Sequence, residues 1–381
     1  MTKGVAVLGS TGSIGRSALR VLGRHRDRFR VVALTAFGSE ELLLEQARAT
    51  DAGYVGLVNG GSGFGKAHPR TVVAGSDCLI EAASHPEVDI VLNAVVGAAG
   101  LRATLAALRE GKRVALANKE SLVMAGDLVL RAARDGGGEI VPVDSEHSAV
   151  LQCLSGKTAR DIQRLILTAS GGPFREWDSD RLAEATVEEA LQHPTWDMGP
   201  KITVDSATLV NKALEVIEAH FLFGLGYEAI DVVVHPQSIV HAFVEFFDGS
   251  VLAQMGFPTM ELPILYALTH PERVSDSGTP TFDAVAAGPL TFEPVRGDDF
   301  PAFSLGVRAG KTGGTAAAVF NAANEVVVQA FLDGAIPFGA IGGVIESVLD
   351  DHEVQPADEL EAVLAADRWA RERGGSLCSS R

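Results

Sequence analysis

Apolar positions in the first part of the chain come as short runs separated by helical patterns. Residues 4–8 are almost continuously apolar, the mark of a strand buried on both faces. A glycine turn follows, and the spacing predicts a helix over about 14–22. Further strands are predicted at 29–36, 90–96, 113–117 and 140–143, with a helix at 101–109. Strands alternating with helices imply a parallel sheet covered on both faces, a Rossmann-like doubly wound domain over 1–143.

The pattern then changes. Strands are predicted at 165–169, 231–235, 238–246 and 251–255, the last two joined at the turn Asp248-Gly249. A hairpin there implies antiparallel pairing, so 144–270 is expected to be an α+β domain. A stretch rich in Pro, Gly, Ser and Asp makes 271–302 a linker. Helical patterns at 315–332, 338–349 and 357–373 give a C-terminal helical domain over 303–381, with 374–381 frayed.

Length supports this division, since 381 residues exceed one typical core. A formal charge of -17 argues against a nucleic-acid partner. Cys78, Cys153 and Cys378 are far apart and form no CxxC pair, which fits a reducing compartment. No apolar stretch reaches the ~18 residues needed to cross a membrane, and the apolar run after Lys3 is too short for a signal peptide. A cytoplasmic protein without a membrane partner is expected.

Gly9-Ser10-Thr11-Gly12-Ser13-Ile14-Gly15 ends a strand and opens a helix. Glycines let the backbone approach a diphosphate, and the free N–H groups at a helix start donate to it. A nicotinamide dinucleotide is the expected ligand. At the end of the second strand, where the adenosine ribose would sit, stand Phe37-Gly38-Ser39. They offer no carboxylate for a ribose hydroxyl and no cation for a 2′-phosphate, and Ser39 serves equally as a helix N-cap.

Asp144-Ser145-Glu146 follows the strand at 140–143, placing two carboxylates at the carboxyl end of the sheet, where such folds bind ligands. Their oxygens suit Mg²⁺ or Mn²⁺; they suit helix capping as well. A short extended segment is predicted at 201–204, then a helix over 206–223 that places Ser206 at its start. Asn211, Lys212 and Glu215 share one turn of it, either as a site or as a solvated ion-pair face. Asn118-Lys119-Glu120 lies at another strand end, and Gly171-Gly172-Pro173 after Ser170 reads as the hinge of a lid reaching to about residue 199.

These motifs resemble those of 1-deoxy-D-xylulose 5-phosphate reductoisomerases. The matching segments are the GSTGSIG turn, ANKE from Ala117, VDSEHSA from Val143, SGGPF from Ser170, HPTWDMGPKITVDSATLVNKALE from His193 to Glu215, HPQS from His235 and NAANE from Asn321. The likeness covers nearly the whole chain. It implies rearrangement and NADPH-dependent reduction of 1-deoxy-D-xylulose 5-phosphate to 2-C-methyl-D-erythritol 4-phosphate, in non-mevalonate isoprenoid biosynthesis. It also implies a divalent cation (Mg²⁺, Mn²⁺ or Co²⁺), a homodimer and sensitivity to fosmidomycin.

Carried over by position, Asp144, Glu146 and Glu215 would ligate the metal. Ser170, Ser206, Asn211 and Lys212 would hold the phosphate end, with Lys119, Ser145 and His193 also on the substrate. Thr11, Gly12, Ser13, Ile14, Asn118, Glu120 and Gly199 would contact NADPH, and Trp196 and Met198 would ride on the closing loop. Phe37-Gly38-Ser39 departs from the family's usual 2′-phosphate set, and Ala213 replaces its usual glycine. A semialdehyde dehydrogenase would need a nucleophilic cysteine beside a histidine, which the chain lacks. A non-catalytic nucleotide sensor would have no use for three carboxylates around a cationic helix face.

Overall fold

The computed structural model describes residues 2–60, 71–196 and 198–379. Seven parallel strands form the first sheet: β1 (Lys3–Leu8), β2 (Phe29–Ala36), β3 (Tyr54–Leu57), β4 (Thr71–Ala74), β5 (Ile90–Asn93), β6 (Arg113–Leu116) and β7 (Glu139–Pro142). Their order is β4-β3-β2-β1-β5-β6-β7. Val5, Ala6, Val7 and Leu8 are fully buried, as a strand covered on both faces requires. The order reverses at β1 and β5, and a ligand crevice opens at such a switch point, outside the carboxyl ends of the strands.

The chain divides into two compact units. The first comprises Met1–Ser121, Val129–Ser148 and Thr259–Pro280. Its late segment carries the helix Glu261–Thr269, which packs on β6, β7 and the helix Ser13–Arg24. Arginines on and just after that first helix hold the segment in place. Arg24 pairs with Glu261 at 2.6 Å and Asp276 at 2.7 Å, Arg20 with Glu261 at 2.7 Å, and Arg28 with Glu272 at 2.9 Å.

The second unit comprises Leu122–Leu128, Ala149–Pro258 and Thr281–Arg381. Its sheet has the order β11-β10-β8-β9-β12, from β8 (Ile162–Ala169), β9 (Ile230–Val234), β10 (Val240–Phe246), β11 (Val251–Met255) and β12 (Glu293–Pro294). The expected hairpin joins β10 to β11, with Gly249 at φ 82 in its turn. His235 of the HPQS motif ties β12 to this sheet: its Nδ1 donates to Thr291 O at 2.8 Å while its Nε2 accepts from Ile239 N. Helices Pro301–Thr312, Ala316–Leu332, Ala340–Asp350 and Leu360–Ser379 build the helical part around Phe320, Val327, Val344 and Ala370.

Two local expectations are corrected. Residues 201–204 are not extended; they belong to the helix Pro200–Ala207, opened by a proline at its first position and packed through Val204 and Ala207. Ser206 therefore sits in the last turn of that helix, and a separate helix starts at Val210. The tail from Gly374 is not frayed either. Its helix runs to Ser379 and buries Cys378, while Ser380 and Arg381 lie outside the described residues. Cys78, Cys153 and Cys378 are all buried, and none of them is in a disulfide. No helix among the described residues is long and apolar enough to cross a membrane.

Candidate active site

The glycine turn has the geometry a diphosphate loop needs. Gly9 stands at φ 81, and a Cβ there would lie 2.6 Å from Ala94 O, just beyond β5. A Cβ on Gly15 would fall 2.3 Å from Gly9 O, so this glycine permits the helix to close on the strand. Gly12 is the exposed N-cap of the helix Ser13–Arg24, and its side chain-free face meets only Gly9 O, at 3.4 Å. Ser13 is exposed, Thr11 and Ile14 partly so. The first-turn N–H groups of a helix have no intrahelical acceptor and can donate to an anion. Buried Ser10 is used differently: its hydroxyl donates to Gln46 Oε1 at 2.7 Å and fixes the turn to the next helix. At the end of β2, Phe37 is 72% exposed, and the Ser39 side chain makes no capping hydrogen bond.

Asn118-Lys119-Glu120 sits one residue beyond β6. The Asn118 amide donates to Val95 O (2.8 Å), Gly97 O (2.9 Å) and Glu120 Oε2 (2.9 Å), and Glu120 Oε1 accepts from Gly97 N at 3.1 Å. These buried side chains brace the loop after β5, at the switch point. Lys119 Nζ forms an ion pair with Asp144 Oδ2 at 2.7 Å, the two lying at the ends of neighbouring strands β6 and β7.

Asp144 directly precedes the helix Ser145–Cys153. Its Oδ1 accepts from Glu146 N at 3.2 Å, and Ser145 Oγ donates to Glu146 Oε2 at 2.7 Å. His147, fully buried, brings Nδ1 to 3.2 Å from Asp144 Oδ1. The sequence reading did not single out His147. Its signal was present, since a histidine three residues after Asp144 returns to the same helix face.

In the second unit, Ser170 directly follows β8 and its hydroxyl lies 3.0 Å from His193 Nε2. The Gly172 N–H donates to the same hydroxyl at 3.2 Å. His193 Nδ1 accepts from Thr195 N (3.1 Å) and Trp196 N (2.9 Å). Burial pulls its pKa from 6.5 down to about 4. Gly199 caps the helix Pro200–Ala207 and is exposed; Asp197 lies outside the described residues.

The helix Val210–Phe223 starts after Leu209, a non-glycine residue at φ 58. Asn211 and Lys212 both donate to the Glu215 carboxylate, one to each oxygen. Lys212 and Glu215 are buried, so the solvated ion-pair face considered above is excluded. The Glu215 carboxylate offers oxygens of the kind a hard cation takes, and the ammonium and amide beside it are donors of the kind an anion takes.

A doubly wound sheet whose first turn is shaped for a diphosphate, followed by a unit with a mixed sheet and a helix that buries Glu215, is the architecture of dinucleotide-dependent oxidoreductases. The comparisons narrow this. The family model for 1-deoxy-D-xylulose 5-phosphate reductoisomerase matches residues 5–126, that for its C-terminal domain 140–223, and that for the DXP reductoisomerase C-terminal domain 255–373. The reductoisomerase of Pelotomaculum thermopropionicum is 50% identical over 98% of this chain and 97% of its own length. That of Rhodococcus jostii is 52% identical over 98% and 94%. Among solved structures, the Zymomonas mobilis reductoisomerase in complex with NADPH superposes with TM-score 0.91 at 42% identity, covering 100% of both chains. A DOX-P reductoisomerase in complex with NADPH, fosmidomycin and magnesium gives 0.93 at 40%, over 99% and 98%. The chain belongs to the 1-deoxy-D-xylulose 5-phosphate reductoisomerase family.

Proposed function

We propose that this chain catalyses the NADPH- and divalent-metal-dependent conversion of 1-deoxy-D-xylulose 5-phosphate to 2-C-methyl-D-erythritol 4-phosphate, a step of non-mevalonate isoprenoid precursor biosynthesis. The observation that carries the reading is identity of 50–52% to reductoisomerases over 98% of the chain.

Asp144, Glu146 and Glu215 are the metal ligands in this reading. Their fit rests on donor chemistry: all are carboxylates, as Mg²⁺ and Mn²⁺ prefer. Two of them are already neutralised from within the chain, Asp144 by Lys119 and Glu215 by Lys212. A cation bound there would polarise the substrate's carbonyl and neighbouring hydroxyl. NADPH would lie along Thr11, Gly12, Ser13 and Ile14, with Asn118, Glu120 and Gly199, and supply a hydride.

The chain's own groups supply the rest. Ser170, Ser206, Asn211 and Lys212 hold the phosphate end, hydroxyls and amide donating while Lys212 contributes charge. Lys119, Ser145 and His193 orient the carbon skeleton. Neutral His193 keeps the Ser170 hydroxyl aimed without adding a charge. The segment of Trp196 and Met198 closes over bound substrate and excludes water before reduction.

Residues 1–143, with Thr259–Pro280 packed against them, then carry the cofactor, the rest of 144–270 catalysis and dimerisation, the rest of 271–302 the connection and 303–381 a helical support. A cytoplasmic homodimer is part of the same reading. The test is direct. Purified protein oxidises NADPH only when given 1-deoxy-D-xylulose 5-phosphate with Mg²⁺ or Mn²⁺, and Glu215→Gln abolishes this without changing the circular dichroism spectrum. Undiminished turnover in excess EDTA, or in that variant, defeats the metal assignment.

A further inference from the structure

Asp205 is 1% exposed and precedes Ser206 on the helix Pro200–Ala207. A buried carboxylate is costly unless it is paired and hydrogen-bonded. Here it has two partners. Lys201 Nζ, one turn earlier on the same helix, approaches Oδ2 at 2.8 Å. Asn324 Nδ2, from the helix Ala316–Leu332, donates to Oδ1 at 2.7 Å.

The two partners act differently. Lys201 shares the helix of Asp205, so its bond cannot fix where that helix lies. Asn324 belongs to the helical core and can. Asn324 is fully buried and its Oδ1 has no hydrogen-bond partner, so the carboxylate alone orients the amide. Turned over, the amide would set oxygen against oxygen. The same helix end also lies close to the backbone of another turn. Gly172, at φ 66 in the turn after Ser170, would place a Cβ only 2.8 Å from Ser206 O. Ser206 thus sits where Asn324, acting through Asp205, and the Gly172 turn meet.

We infer that Asp205 and Asn324 are positioning residues that set the Ser206 hydroxyl for the phosphate end of the substrate. The inference rests on the functional reading above. Asn324→Ala and Asp205→Ala are each expected to raise KM for 1-deoxy-D-xylulose 5-phosphate about tenfold, since small misplacements of a binding group are costly. KM for NADPH should stay within about twofold, because the dinucleotide turn is untouched. Asp205→Asn still accepts the Asn324 N–H and should recover most of the loss. If Asp205→Ala does not fold, Asn324→Ala decides.

A lowered thermal midpoint with both KM values unchanged overturns the inference, because a purely structural pair would behave that way. Should the wild-type protein not turn over 1-deoxy-D-xylulose 5-phosphate at all, the functional reading fails. Inorganic phosphate titrated calorimetrically then separates the two ideas: weaker binding to Asn324→Ala than to wild type upholds the positioning role, and equal binding ends it.

Discussion

His193 donates its Nε2–H to the Ser170 hydroxyl at 3.0 Å, because the N–H groups of Thr195 and Trp196 already occupy its Nδ1 as an acceptor. One ring nitrogen being an acceptor from two donors fixes the neutral tautomer. Burial works in the same direction, lowering the pKa from 6.5 to about 4. Imidazole resonances followed by NMR should show one tautomer and no titration between pH 5 and 8. The folded-state value is depressed, so this contribution to stability is complete above the unfolded pKa. It is lost as pH falls through the folded one. A midpoint near the unperturbed value would contradict the geometry.

Asp276 is held by Arg24, whose hydrogen bond is the main cause of a carboxyl pKa lowered from 3.8 to about 2. Its side chain is 2% exposed. Such a shift corresponds to ~2 kcal/mol of stability at neutral pH. Urea unfolding of Asp276→Asn should show about that loss at pH 7, shrinking as pH falls below the unfolded carboxyl value toward the folded one. A loss independent of pH would point to packing alone.

The glycines of the turn should separate by role. Gly15→Ala forces a Cβ to 2.3 Å from Gly9 O and should cost ~2 kcal/mol or more by overpacking. Gly12→Ala meets only an ordinary 3.4 Å contact. It should leave the thermal midpoint nearly unchanged while weakening NADPH binding, measured by fluorescence, since in the proposed function the added methyl would meet the diphosphate.

Gly38 is exposed, and a Cβ there meets nothing within 4 Å. Gly38→Arg therefore adds a guanidinium beside the adenosine-ribose end without strain. Arginine pairs bidentately with phosphate. KM for NADPH should fall several-fold and rise again with salt, whereas KM for NADH should not move.

Deleting residues 374–379 removes the end of an ordered helix, not a loose tail. Cys378 is buried in the helical core, and Gly374 lies close to Val326 and Val348. A loss of ~1–2 kcal/mol is expected from the apolar area uncovered, read as a lower thermal midpoint with KM unchanged. An unaltered midpoint would restore the frayed-end expectation.

What the chain discloses on reading is local chemistry. The β1 turn, the Asp248-Gly249 hairpin and the Asn211-Lys212-Glu215 cluster each depend on neighbours in sequence, and each folds as its pattern predicts. Long-range packing overrides the rest. Ile202, Thr203 and Val204 are β-branched and read as extended, yet burial of Val204 and Ala207 makes them helical. The break at Leu209 is invisible because leucine is a good helix former; only its φ of 58 reveals it. Gly374-Gly375 looks like a stop, but the helix continues through it because Gly374 and Cys378 are buried against the helical core. The role of Asp205 depends on an amide 119 residues away.

The return of Thr259–Pro280 to the first unit sets the order in which this protein can mature. The surfaces of β6, β7 and the first helix are covered by Glu261–Thr269, and Arg20, Arg24 and Arg28 wait for partners at Glu261, Asp276 and Glu272. A nascent chain that has left the ribosome only as far as β7 holds every strand of the dinucleotide sheet, but not its last layer. That layer arrives after the mixed sheet has been synthesised through β11. The first unit, first in sequence, is completed only after four strands of the second sheet have been made, and NADPH offered during translation should bind weakly until residue 280 has emerged.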